Sequence, residues 1–136
     1  MKTITTYLVE DSALIRHSLI ATLEELGEVQ VIGCAQDEAA ATRWLLTHDH
    51  HADLVIVDLF LRSGTGLGVL KSVRGQMENS TLVVLTSYAT ANMRQKCLTL
   101  GATRVFDKSH DVDALLLYCN QLAAGEHDHR AARLLQ

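Results

Sequence analysis

The chain has 136 residues, enough for one sizeable core and too few for two. It is 48% apolar and 21% charged with no proline and no Gly/Ser-rich run, a composition that argues against a disordered chain or a flexible linker. A net charge of −4 with scattered lysines and arginines excludes binding driven by phosphate neutralisation, so no direct nucleic-acid partner is expected.

The opening stretch MKTITTYLVED reaches acid too early for a secretory signal, and no apolar run approaches a membrane span. A soluble, cytoplasmic chain without a membrane partner is expected. Ile4 to Val9 has the β-branched character of a strand and stops at Glu10 and Asp11. Ser12 can cap a helix whose Ile15, Leu19, Leu23 and Leu26 share one face and which ends at Gly27. A second strand is predicted from Val29 to Cys34. Asp37 then caps a helix through Ala41, Trp44 and Leu45.

The third strand, Leu54 to Val57, is wholly apolar and is followed at once by Asp58. Beyond a glycine-rich turn, Val69, Leu70, Val73 and Met77 mark a third helix, and Leu82 to Leu85 a fourth strand ending on Thr86 and Ser87. Met93, Cys97 and Leu100 mark a fourth helix that stops at Gly101. The short strand Arg104 to Phe106 leads to Asp107 and Lys108. Val112, Leu115, Leu116, Cys119, Leu122 and Ala123 form the apolar face of the last helix. Residues 1–124 are expected to be the domain. Residues 125–136 are expected to be a short tail or helix extension; extension of the last helix would give Leu134 and Leu135 an apolar face for self-association or docking, and fraying is the equal alternative.

Strand and helix alternate five times, which predicts an α/β, doubly wound parallel sheet with helices on both faces. Functional groups in such sheets gather beyond the carboxyl ends of the strands. Here that edge receives Glu10, Asp11, Asp58, Thr86, Ser87 and Lys108. Any one of these residues alone is explained by capping, a turn or a surface charge; the joint placement of the set on strands one, three, four and five is not. Two carboxylates 4 Å apart repel by about 4 kcal/mol at an effective dielectric of 20, so the cluster calls for a cation. Mg²⁺ suits an all-oxygen site of one or two carboxylates plus phosphate.

The segments YLVEDSALIR, LVIVDLFLRSGTGLGVL, VVLTSYA and GATRVFDKS, in this order, resemble the receiver domain of two-component response regulators. The resemblance implies five strands in the order 2-1-3-4-5, as in the chemotaxis receiver that exemplifies this topology. It also implies that Asp58 is a phosphoacceptor charged by a histidine kinase or histidine phosphotransfer protein. By the same resemblance Mg²⁺ is bound by Asp11 and Asp58, by Glu10 through water and by the backbone carbonyl of Phe60. Lys108 and the Thr86 hydroxyl hold phosphoryl oxygens, and the amides of Phe60 and Ser87 complete the cradle. The implied regulator is not an enzyme; as a stand-alone module, monomeric or weakly dimeric, it signals to a separate protein effector.

The pattern is broken in places. Val105 stands where most receivers have an aromatic residue three positions before the lysine; Phe106 should point to the opposite face, and Tyr88 is placed to substitute from the loop. Ser109 and Arg62 stand where proline is common. Phe60 and Tyr88 occupy the positions that govern water access, which predicts slow self-dephosphorylation. Val105 and Ser109 motivate an alternative, a pseudo-receiver binding module that no longer cycles phosphate. A Mg²⁺-dependent phosphohydrolase is a further alternative, weakened because the residue two beyond Asp58 is Phe60 rather than a second acid.

Other motifs are discounted. Gly64, Gly66 and Gly68 fit turn chemistry better than a dinucleotide fingerprint, whose third glycine would fall on Val69. The histidines of HDHH, residues 48–51, and EHDH, residues 126–129, are expected to be solvated ends rather than metal ligands. Cys34, Cys97 and Cys119 are expected to be buried thiols.

Overall fold

The computed structural model describes residues 2–47 and 49–125. The elements in chain order are β1 (Ile4–Val9), α1 (Ala13–Leu26), β2 (Val29–Ala35), α2 (Glu38–Leu46), β3 (Leu54–Val57), α3 (Gly66–Val73), β4 (Thr81–Thr86), α4 (Ala91–Thr99), β5 (Arg104–Asp107) and α5 (Val112–Ala123). The strands form one parallel sheet in the order β2-β1-β3-β4-β5.

Side-chain alternation divides the interior in two. Tyr7, Val9, Val55, Val57, Val84 and Val105 pack under α2, α3 and α4 with Leu45, Val69, Leu70 and Cys97. Leu8, Ile56, Val83, Leu85 and Phe106 face the other way, against Leu19 and Leu23 of α1 and Leu115, Tyr118 and Cys119 of α5. All four residues of β3 are buried because both of its faces are covered, which explains its unbroken apolar run.

Ser12 and Asp37 cap α1 and α2 as expected, their side chains accepting from the amides of Ile15 and Ala40. Three details differ from expectation. The buried face of α1 is Arg16, Leu19 and Leu23, while Ile15 and Leu26 are exposed. Arg16 is tolerated inside because its Nη1 donates to the Glu10 carbonyl at 3.0 Å. α3 ends at Val73, so Met77 packs on the core from the loop that follows. Cys34 is exposed, since β2 is an edge strand and its burial alternates along its length. Cys97 and Cys119 are buried as expected. Burial pushes both thiols up, Cys119 to about 12, which leaves them inert as nucleophiles.

The N-terminal ends of β1 and β3 are tied by Asp53. Its Oδ2 accepts from the Thr5 amide and the Thr5 hydroxyl, both at 3.0 Å, and its Oδ1 from Lys2 Nζ at 3.3 Å. Burial by itself would raise this carboxyl, but the Thr5, Lys2 and His51 bonds outweigh it and hold the pKa below its ordinary 3.8. A carboxyl lowered in the folded state stabilises fully above its unfolded pKa and loses that contribution as pH falls through the folded value. Asp53→Ala is therefore expected to lower stability by about 2 kcal/mol at neutral pH. Urea unfolding should show the gap to wild type closing below about pH 4.

Candidate acidic site at the strand ends

Each strand that reaches this edge delivers its polar residue at or just past the last ladder position. β1 ends at Val9, so Glu10 and Asp11 follow; β3 ends at Val57, so Asp58 follows; Thr86 closes β4, and Lys108 follows Asp107 of β5. One carboxylate oxygen from each of Glu10, Asp11 and Asp58 lies within 4.8 Å of the others. Glu10 and Asp58 are buried, at 2% and 7% exposure, whereas Asp11 is half-buried and opens the cluster to solvent.

Lys108 answers the concentration of negative charge. Its Nζ donates to Glu10 Oε1 at 2.6 Å and to Asp58 Oδ2 at 2.8 Å. Burial would lower the ammonium pKa, but the hydrogen bonds and charges of Asp58 and Glu10 outweigh it and raise the pKa above its ordinary 10.5. The remaining Glu10 oxygen accepts from the Ser12 amide at 3.1 Å. Thr86 is fully buried, and its Oγ1 accepts from the Tyr88 amide at 3.3 Å. Ser87 is exposed beside it.

The glycine-rich turn explains how the Asp58 backbone is held. Gly64 has φ +77°, a left-handed conformation that favours glycine. A β-carbon at Gly66 would collide with the Asp58 carbonyl oxygen and stand 2.8 Å from Leu59 Cα, and the Gly66 amide donates to the Leu59 carbonyl at 2.9 Å. Glu38 of α2 braces the same turn, its Oε1 accepting from the Thr65 amide at 2.9 Å. Turn chemistry thus accounts for these glycines.

At the rim, the Phe60 and Tyr88 rings meet at 4.4 Å with a tilt of 53°, each about half exposed. Val105 lies in the α2/α3/α4 core while Phe106 faces the other core, tilted against Tyr118 at 5.9 Å. The Lys108–Ser109 bond is trans, and the Ser109 amide donates to Asp107 Oδ1 at 2.7 Å. The strand-end residues named from the sequence are thus brought to one edge. Sequence reasoning missed Arg16, Glu38 and Arg94, which act through backbone atoms that leave no mark in a residue pattern.

The histidines play local parts. His50 stacks on Trp44 at 4.5 Å, Trp44 stacks on Tyr7 at 4.0 Å, and His51 Nε2 lies 3.3 Å from Asp53 Oδ1. Both are exposed, as expected of solvated ends, and each also has a neighbour within reach, an aromatic face for His50 and a carboxylate for His51. Among the described residues no histidine belongs to a cluster able to hold a metal. His48 and the tail from 126 onward lie outside the described residues, as does the apolar face expected at Leu134 and Leu135.

The sequence profile of the response regulator receiver domain matches residues 6–120. The chain belongs to this family. The receiver is 30% identical over 115 residues to the two-component response regulator PhoP of Pseudomonas aeruginosa, covering 85% of this chain and 49% of that protein. It spans about half the length of the curated relatives it matches, among them the transcriptional regulatory protein PhoP of Escherichia coli, of which it covers 47%. The receiver shares its fold with a two-component response regulator of the LuxR family from Aurantimonas sp., at TM-score 0.80 and 23% identity over 93% of this chain and 89% of that one. It also resembles a response regulator from Burkholderia pseudomallei with a phosphorylated aspartic acid and a calcium ion, at TM-score 0.71 and 21% identity over 90% of this chain and 69% of that one. Receiver domains are signalling regulators, and response regulators interact with histidine kinases. Among the described residues of this receiver, no helix is long and apolar enough to cross a membrane.

Proposed function

We propose that this receiver accepts a phosphoryl group from a phosphohistidine onto Asp58 and signals through protein contact. The observation that supports it best is one buried carboxylate, Asp58, paired with Lys108 and set among two further acids within 4.8 Å. In the transfer an Asp58 oxygen bonds to phosphorus as the P–N bond breaks, the electron pair leaving on the histidine nitrogen. The chain's task is alignment and charge neutralisation. Lys108 exchanges its bond to Asp58 for one to a phosphoryl oxygen, the Thr86 hydroxyl turns to donate to another, and the amides of Phe60 and Ser87 face the rest.

The donor set of three carboxylates, without sulfur or imidazole, fits a hard divalent ion such as Mg²⁺. Asp11 and Asp58, Glu10 through water and the Phe60 carbonyl would hold it, where it would neutralise charge on the transferring oxygens. The phosphorylated aspartic acid and calcium ion of the Burkholderia relative support this reading by analogy of fold.

A groove of about 600 Å³ lined by Leu14, Ile15, Leu19, Leu85, Ser87 and Lys108 gives a helix bearing the phosphohistidine an apolar seat beside the site. A histidine kinase or histidine phosphotransfer protein is the donor. Once Thr86 is drawn to the phosphoryl group, the 87–90 loop follows and the surface of α4, β5 and α5 changes population, to be read by a separate effector. Residues 1–124 form the working unit, a monomer or weak homodimer of the cytoplasm.

Incubation with acetyl phosphate and Mg²⁺ followed by intact-mass measurement tests the reading, and one added phosphoryl group is expected. No adduct from any donor would favour a binding module that does not cycle phosphate. Sustained turnover of small phosphate esters would favour a phosphohydrolase. The Phe60–Tyr88 pair is placed to keep water from the acyl phosphate. Phe60→Ala with Tyr88→Ala is expected to hasten loss of the phosphoryl group about tenfold, a barrier change of roughly 1.4 kcal/mol, as followed by mass after the donor is removed.

A further inference from the structure

Arg94 sits in the middle of α4, in the sequence TANMRQK. Its guanidinium reaches three separate segments. Nε donates to the Ala89 carbonyl at 3.1 Å, Nη1 to the Val105 carbonyl at 2.8 Å, and Nη2 lies 3.5 Å from Asp111 Oδ2.

The position of each acceptor matters. Ala89 lies in the loop that leaves Thr86, and Val105 is in β5, three residues before Lys108. Asp111 is the N-cap residue of α5, and its Oδ2 also accepts from the Asp107 amide at 2.8 Å. One side chain therefore joins the segment downstream of Thr86 to the strand upstream of Lys108 and to the start of α5. The ion pair is partly exposed and long, so it contributes little alone. The two charge-assisted bonds to backbone carbonyls carry the link, and the planar fork fixes their relative positions.

We propose that Arg94 is the positioning residue that couples the state of Asp58 to the α5 surface. The proposal rests on Asp58 being the phosphoacceptor. A shift of the 87–90 loop moves the Ala89 carbonyl, and a rigid fork holding three acceptors transmits that shift to β5 and the Asp111 cap or else gives up a bond. Chain connectivity already carries the movement into α4; only Arg94 is assigned its spread to β5 and α5. The chain thereby acquires two discrete arrangements rather than a continuous deformation.

The test compares amide spectra of wild type, Arg94→Gln and Arg94→Lys, each with Mg²⁺ and with and without beryllofluoride, a stand-in for the phosphoryl group on Asp58. Wild type is expected to respond both in the 87–90 loop and in the first turn of α5. In Arg94→Gln the loop response is expected to persist while the α5 response is about threefold smaller. Arg94→Lys, which keeps the charge but can reach only one carbonyl, should fall between them. A purely structural role would weaken loop and α5 alike, and that result overturns the proposal. So does an α5 response in Arg94→Gln or Arg94→Lys equal to wild type. Wild type with no response at all removes the phosphoacceptor reading, and the coupling falls with it.

Discussion

Asp58→Asn is expected to end phosphoryl uptake from acetyl phosphate while leaving the fold at least as stable as wild type. The amide keeps the shape of the side chain but lacks an anionic oxygen to bond phosphorus. It also removes one of three acids whose oxygens lie within 4.8 Å. Each close pair repels by about 4 kcal/mol at 4 Å and a dielectric of 20, and the lost attraction between Lys108 and Asp58 cancels much of that relief. Lys108 keeps its 2.6 Å bond to Glu10. The net expectation is a gain of about 1 kcal/mol, or a melting point higher by roughly 3 °C at low Mg²⁺. Intact mass and a thermal melt on one preparation check both halves, and a phosphoryl group found on the Asn variant would move the acceptor elsewhere.

Lys108→Met should do the reverse. It leaves Glu10 and Asp58 buried without the ammonium between them, and removing one member of a buried charge cluster costs about 3 kcal/mol. Mg²⁺ should restore the loss, by about 2.7 kcal/mol when its concentration reaches 100 times its dissociation constant. The pH dependence has a definite sign. Because the ammonium pKa is raised in the folded state, its contribution is complete below the ordinary 10.5 and disappears as pH rises through the higher folded value. The gap between wild type and Lys108→Met in urea unfolding should thus be level through neutral pH and narrow only in strong alkali. A variant as stable as wild type in chelator would show that the acids do not depend on Lys108.

The sheet was legible because its signals are local. Five apolar runs, the Ser12 and Asp37 caps and the acids at the strand ends are each readable within a few residues, and the structure places them accordingly. The convergence of the strand-end residues was legible for a related reason: in a parallel sheet the carboxyl ends share one edge, so such residues meet whatever their separation along the chain. The misses share a cause as well. Arg16, Glu38 and Arg94 are held by backbone carbonyls or amides, and every residue type offers those. On α1 Arg16 is thus buried while Ile15 is exposed, without any warning in the periodicity. Cys34 followed from strand order rather than composition, because only the topology puts β2 at the margin.

β5 has only four residues, and its two consecutive buried ones, Val105 and Phe106, enter opposite cores. A lever so short has no independent ends. Any substitution that retunes the face beneath α5 tugs on the layer beneath α4 through the same few atoms, so the two helical layers cannot be rewritten separately. An engineer redesigning one of them would have to accept, and measure, altered behaviour at the other.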